Sequence, residues 1–183
     1  MKDFLFSLWF LLPIGLANMV PVFFIKIPFL KKWTYPLDFY QKYHGKRILG
    51  DHKTIRGLLG GILIAIVAVW IQQYLYVHNS FVQSFSLVNY AKIHPLILGF
   101  LAGFGALGGD SAKSFFKRQV GIPSGKSWFP FDQMDFLLGA IITTYFYVHV
   151  SLVVYIYVLI EGFLLHMATA YTGYLLRLKK DPI

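Results

Sequence analysis

The chain has 183 residues, 57% of them hydrophobic and 19% aromatic, with only 14% charged, a composition that excludes an ordinary water-soluble domain and points to the lipid bilayer as solvent. There is no cysteine, which excludes disulfides and thiolate metal sites. The net charge of +9 sits on residues that flank apolar stretches, which favours membrane lipids or a polyphosphate as partner and speaks against nucleic acid.

A membrane crossing takes about 20 apolar residues at 1.5 Å rise each. Residues 4–25 form the first such run, with no small-residue cleavage site of the kind that ends a removable signal peptide. Pro13, Asn18 and Pro21 fall inside it, and each proline removes a backbone hydrogen bond, so an interrupted helix is expected. Residues 26–56 form a polar loop. It ends in "GDHKTIRG", where Asp51, His52, Lys53, Thr54 and Arg56 stand between glycines at the mouth of the second span, residues 57–77. Backbone N–H groups of Gly-rich turns, with Lys and Arg beside them, make a cradle for phosphate, although the pattern is not the P-loop.

The third span, residues 93–109, is short and runs into a second charged loop, residues 110–135. Asp132 and Asp135 are three apart, which places both carboxylates on one face of a helix beginning there, where either could also act as a cap. Asp110 lies at the opposite kind of helix end, where the macrodipole disfavours an anion. Three carboxylates meeting at one membrane edge suit a hard cation, and oxygen donors without thiolates favour Mg²⁺ over zinc. Lys113, Lys117 and Arg118 follow Asp110 at roughly helical spacing and are expected to share a face; the general enrichment of cations at cytoplasmic helix ends would also place them there.

The last apolar run, residues 136–176, would be about 60 Å long as one helix, twice the hydrocarbon thickness. It is expected to fold back near His149, Val150 and Ser151, giving spans 136–149 and 152–176. Glu161 and His166 fall inside the last of these, and ionisable groups at such depth face a cavity or a partner. Glycines four apart (57 and 61, 99 and 103, 105 and 109) mark close helix packing. Fifteen of the seventeen Lys and Arg residues fall in the two loops and the tail, leaving Lys2 and Lys92. The expected fold is therefore a single all-α integral membrane domain of five transmembrane helices, with the N-terminus outside and the C-terminus and both charged loops in the cytoplasm.

The segments "PLDF", "GKRILGDHKTIRG", "GDSAKSFFKRQVGIPSG" and "FPFDQMD" resemble the archaeal CDP-archaeol synthase family, relatives of the phosphatidate cytidylyltransferases. The likeness runs from Asn18 and Pro21 to the Leu178-Lys179 tail. It includes the Ser-x-x-Lys-Arg core as Ser114 to Arg118, and departs from the family at Ala170, where an asparagine is the pattern. The resemblance implies a cell-membrane cytidylyltransferase of archaeal phospholipid biosynthesis. Such an enzyme joins CTP to an ether-lipid phosphate with Mg²⁺, giving CDP-archaeol and pyrophosphate. It implies that Asp110, Asp132 and Asp135 hold the metal and that Lys113, Lys117 and Arg118 serve catalysis beside them. It further implies that Asn18, Asp38, Asp51, Lys53, Thr54, Arg56, Ser111, Ser114, Lys126 and His166 bind CTP or the lipid phosphate.

Other classes fit less well. A transporter binds near the midplane and shows two related halves, whereas here the charges gather at one face and no repeat is visible. The Asp-Gly-x-x-Ala-Arg start of the CDP-alcohol phosphotransferases is missing. A phosphatidate cytidylyltransferase acting on ester lipids performs the same reaction on different tails, and remains the alternative at this point.

Overall fold

The computed structural model describes residues 1–24, 27 and 32–175. Among these are six α-helices: α1 (Lys2–Phe24), α2 (Ile55–His78), α3 (Ser80–Phe85), α4 (Pro95–Gln119), α5 (Phe131–Tyr145) and α6 (Leu152–Leu175). Four of them, α1, α2, α4 and α6, are long and apolar enough to cross a membrane. Helix α5 has 15 residues, roughly 22 Å, and falls short of a core of about 30 Å. Of the five crossings expected, four thus meet the length requirement on their own.

Three further expectations are corrected. Helix α1 is continuous through Pro13 and Pro21. Neighbouring packing holds it: Pro13 is buried, and Pro21 lies against Gly57 at the start of α2. Helix α4 does not stop at Gly109 but runs ten residues further, because the polar run after it contains no helix breaker before Gly121. The first loop is not wholly irregular. A two-residue hairpin pairs β1 (Lys42–Tyr43) with β2 (Lys46–Arg47), antiparallel, with positive φ at both His44 and Gly45, as a type I′ turn requires. The break between α5 and α6 covers residues 146–151. Lys26, Lys31 and the cations Arg177, Lys179 and Lys180 lie outside the described residues.

The core is built from Phe6, Phe10, Ile14 and Ala17 of α1, Ala65 and Val69 of α2, Leu98, Ala102 and Ala106 of α4, Leu137 and Ala140 of α5, and Val154 and Val158 of α6. Small residues are prominent in it because lipid offers no hydrophobic drive for helices to associate, so close van der Waals packing must supply it. The most extensive helix contacts are α4 with α5, α2 with α4, and α1 with α2. Two long-range polar contacts tie the helices together inside the bundle. The Ser7 hydroxyl donates to Glu161 Oε1 at 2.8 Å, and Gln72 donates to the Trp9 carbonyl at 2.5 Å.

Candidate active site

Helices α4 and α5 meet through glycine. A side chain at Gly109 would run into the Asp135 carbonyl, and one at Gly139 would run into the backbone of Gly105 and Gly109. This approach sets Asp110, at the end of the apolar part of α4, beside the first turns of α5 with Asp132 and Asp135. Lys113, one turn after Asp110, points into the gap. Its Nζ lies 2.5 Å from Asp132 Oδ1, 2.8 Å from Asp135 Oδ2 and 3.3 Å from Asp110 Oδ1. Lys53 reaches Asp110 from the first loop, and Lys117 Nζ lies 2.9 Å from Asp132 Oδ2. Three carboxylates and three ammonium groups thus form one compact, neutral cage.

Two of the acids are further fixed by the backbone. Asp132 Oδ2 accepts from the Trp128 N–H at 2.7 Å, tying the preceding loop to α5, and Asp135 Oδ1 accepts from the Phe136 N–H at 2.6 Å. Neither Asp132 nor Asp135 caps α5, whose N-terminus carries no side-chain cap bond; both side chains belong to the cage. Among the described residues no three His, Asp or Glu side chains stand ready around a metal position. The three carboxylates instead converge on the Lys113 ammonium. The donor set, hard oxygens facing one point of positive charge, fits a hard divalent cation in kind.

The first loop is organised by Asp38. Its side chain is fully buried and accepts from Arg47 Nε at 3.1 Å and Nη2 at 2.8 Å, and from the N–H groups of Leu49, Gly50 and Tyr40 at 3.0–3.2 Å. Burial alone would raise its pKa; the Arg47 guanidinium and these N–H groups outweigh that and hold the carboxyl down at about 2. Arg47 also pairs with Asp51 at 2.8 Å and lies over the Tyr40 ring. The loop is seated on α4 by Lys46, which donates to the Gln119 carbonyl at 2.6 Å, and by Tyr43 packed near Phe115. Leu37 N–H to Lys53 O, at 2.7 Å, and Ile55 N–H to Tyr35 O, at 3.0 Å, fix the strand of chain that carries Lys53 to Asp110.

The other expected site residues divide. Thr54 caps α2, accepting from the Gly57 N–H at 3.2 Å. The Ser111 and Ser114 hydroxyls donate to the carbonyls of Leu107 and Asp110, at 2.7 and 2.8 Å. Arg118 does not share the face of Lys113 and Lys117; one residue past Lys117 it is rotated by about 100°, and its guanidinium donates to the Pro123 carbonyl at 3.2 Å. Arg56 is buried in the first turn of α2, while Asp51 and Lys126 are exposed. The Gly50 N–H, expected in a phosphate cradle, is bonded to Asp38. Arg47, Trp128 and Gly139 were not singled out by sequence reasoning, although Arg47 lies within the "GKRILGDHKTIRG" segment.

Behind the cage an apolar groove of about 550 Å³ runs between α1, α3 and α6. Leu8, Leu12, Phe85 and Leu165 are among its walls, and its polar lining includes Asn18, His166 and Thr169. Phe136 borders the groove, its ring centre is 5.8 Å from that of His166, and it follows Asp135 of the cage in the chain.

Comparison with known proteins identifies the family. The whole chain, residues 1–183, matches the CarS-like CDP-archaeol synthase family. It is 38% identical over 144 residues to the CDP-archaeol synthase of Methanospirillum hungatei, covering 75% of this chain and 82% of that one. The CDP-archaeol synthase of Thermococcus gammatolerans is 33% identical over 184 residues, covering 100% of this chain and 98% of its own. Among solved structures, one described as an intramembrane enzyme for archaeal membrane lipid biosynthesis superposes with a TM-score of 0.68 at 30% identity, covering 89% of this chain and 91% of that one. The chain belongs to the CDP-archaeol synthase family.

Proposed function

We propose that the protein transfers CMP from CTP to the phosphate of an archaeal ether lipid, 2,3-di-O-geranylgeranylglycerol 1-phosphate, at the cytoplasmic face of the cell membrane. The observation that carries this reading is that consecutive residues of α5 belong to a charged cage and to an apolar groove, Asp135 to the first and Phe136 to the second. A phosphorylated lipid needs both, one for its headgroup and one for its tails.

A lipid phosphomonoester has a second pKa near 6, so it is largely a dianion at neutral pH and needs no general base. One of its oxygens bonds to the α-phosphorus of CTP, the bond from that phosphorus to the β-phosphate oxygen breaks, and pyrophosphate leaves. Bringing two polyanions together is the main difficulty, and positioning with electrostatic stabilisation supplies most catalysis of this type. Lys53, Lys113 and Lys117, now paired with carboxylates, would turn to the phosphate oxygens. Asp110, Asp132 and Asp135 would hold Mg²⁺, which when bound supplies positive charge to the phosphates. Helix α5 serves as the fifth crossing, completed by the residues around it, which puts the cage and both charged loops on the cytoplasmic side.

The test is purified protein in detergent with labelled CTP, Mg²⁺ and the lipid phosphate. Pyrophosphate and a CDP-lipid should appear in equal amounts, and neither without the lipid. Asp135→Asn should abolish both while the protein keeps its helical circular dichroism. Turnover of the ester-linked phosphatidate at an equal or greater rate in direct competition would replace the ether-lipid assignment.

A further inference from the structure

We propose that Lys113 is an exchangeable counterion: it holds the three carboxylates together before substrates bind and moves to a phosphate of the nucleotide when a divalent cation takes its place. The proposal rests on the reading of Asp110, Asp132 and Asp135 as metal ligands.

Its basis is the shape of the cage. Lys113 Nζ lies within 3.3 Å of one oxygen of each of the three carboxylates, and its side chain is only 13% exposed. Lys53 and Lys117 each attach to a single acid at the edge, so Lys113 alone among these lysines occupies the common centre. Removing the ammonium from that centre would leave three carboxylates facing one another in a partly buried site, where like charges repel strongly. A dication at the same centre would in turn repel the ammonium. The two cations therefore exclude each other.

Lysine suits such an exchange. It is a compact charge on a flexible four-carbon stem, anchored here on α4. A displaced ammonium without a new anion is left unpaired, so a metal binding alone meets resistance. CTP provides that anion. Metal and nucleotide should consequently strengthen each other's binding, and by linkage the coupling must be the same in both directions. Lys113 thus acts as the coupling element of the site, a role distinct from simple phosphate binding.

The experiment measures Mn²⁺ binding by electron paramagnetic resonance of the free ion, in detergent, with and without a non-hydrolysable α,β-methylene analogue of CTP. In the unmodified protein the analogue should tighten Mn²⁺ by about tenfold or more, within the usual range of coupling between sites. Lys113→Met should bind Mn²⁺ alone about tenfold tighter than the unmodified protein and lose most of the coupling. Lys113→Arg, which keeps the charge, should bind Mn²⁺ alone no better than the unmodified protein. Should the methionine variant lose its helical circular dichroism, Lys113→Gln takes its place. If the unmodified protein binds Mn²⁺ with the analogue but removing the Lys113 charge does not tighten Mn²⁺ alone, the exchange is overturned and the metal reading stands. If the unmodified protein binds no Mn²⁺ in either condition, both are overturned.

Discussion

Gly109 lies against the main-chain carbonyl of Asp135, with no room between them for even a methyl group. This contact brings an acid on α4 and two acids on α5 to one lysine. Alanine at Gly109 would gain as much as about 1 kcal/mol of helix propensity, but its methyl would meet backbone rather than a side chain that can rotate away, at a cost of about 1–3 kcal/mol. Gly109→Ala is expected to lower the thermal midpoint in detergent and to reduce turnover out of proportion to that loss, because the cage is opened. Unchanged kinetics would show that the α4–α5 spacing does not set the site.

The Asp38–Arg47 pair is expected to shape the loop rather than touch CTP, since every Asp38 oxygen is already engaged. The folded pKa, about 2, lies below the unfolded value of about 3.9, so the carboxylate contributes stability that is present above about pH 4 and lost as pH falls through about 2. A shift of about two units corresponds to about 2–3 kcal/mol. Asp38→Asn should make residues 38–53 sensitive to protease at neutral pH, and should flatten the acid dependence of loop protection in the intact protein. Arg47→Lys, which keeps the charge but loses the planar fork, should give a protease sensitivity between those of Asp38→Asn and the unmodified protein.

Lys117 and Arg118 are neighbours with different surroundings, one in the cage and one on the Pro123 carbonyl. If the phosphates are held by the cage, Lys117→Ala loses a charge-assisted bond worth about 1.5–3 kcal/mol, or about tenfold or more in kcat/KM for CTP. Arg118→Ala should lose less. Equal losses would mean that Arg118 leaves Pro123 and turns to the nucleotide during the reaction.

Gly15 borders the groove, and a side chain there would meet open space. Gly15→Leu should therefore fold normally while occupying volume the lipid tails need. Its expected signature is a several-fold higher KM for the lipid phosphate with CTP dependence unchanged. A rise in both would indicate a general disturbance of α1.

Much of this molecule was legible in its sequence. Apolar run lengths gave the long helices, and the three-residue spacing of Asp132 and Asp135 gave a shared face, because both follow from the rise and turn of one helix. The continuity of α1 through two prolines and the extension of α4 past Gly109 were not legible. Both depend on packing and on the absence of a breaker rather than on hydropathy. Asp38 was visible as a carboxylate but not as the centre of a loop, since its partners Arg47, Leu49 and Gly50 become neighbours only when the chain turns at His44 and Gly45. Likewise Lys113 could be placed beside Asp110 by spacing, but only the approach of α5 puts it between three acids.

The extra length of α4 has a consequence for where chemistry occurs. At 25 residues it is roughly 37 Å long, beyond a hydrocarbon core of about 30 Å, and its last turns carry Lys113 and Lys117. If the cage faces the cytoplasm as proposed, the helix would act as a ruler that sets these lysines near the plane of the inner-leaflet phosphates, so a lipid substrate could react without being lifted out of its leaflet. That match holds only for a membrane of suitable thickness. In reconstituted bilayers much thicker or thinner than the native one, helix tilt or lipid deformation would shift one plane against the other. The membrane that depends on this enzyme for its lipids would then, through its own thickness, set the pace of their synthesis.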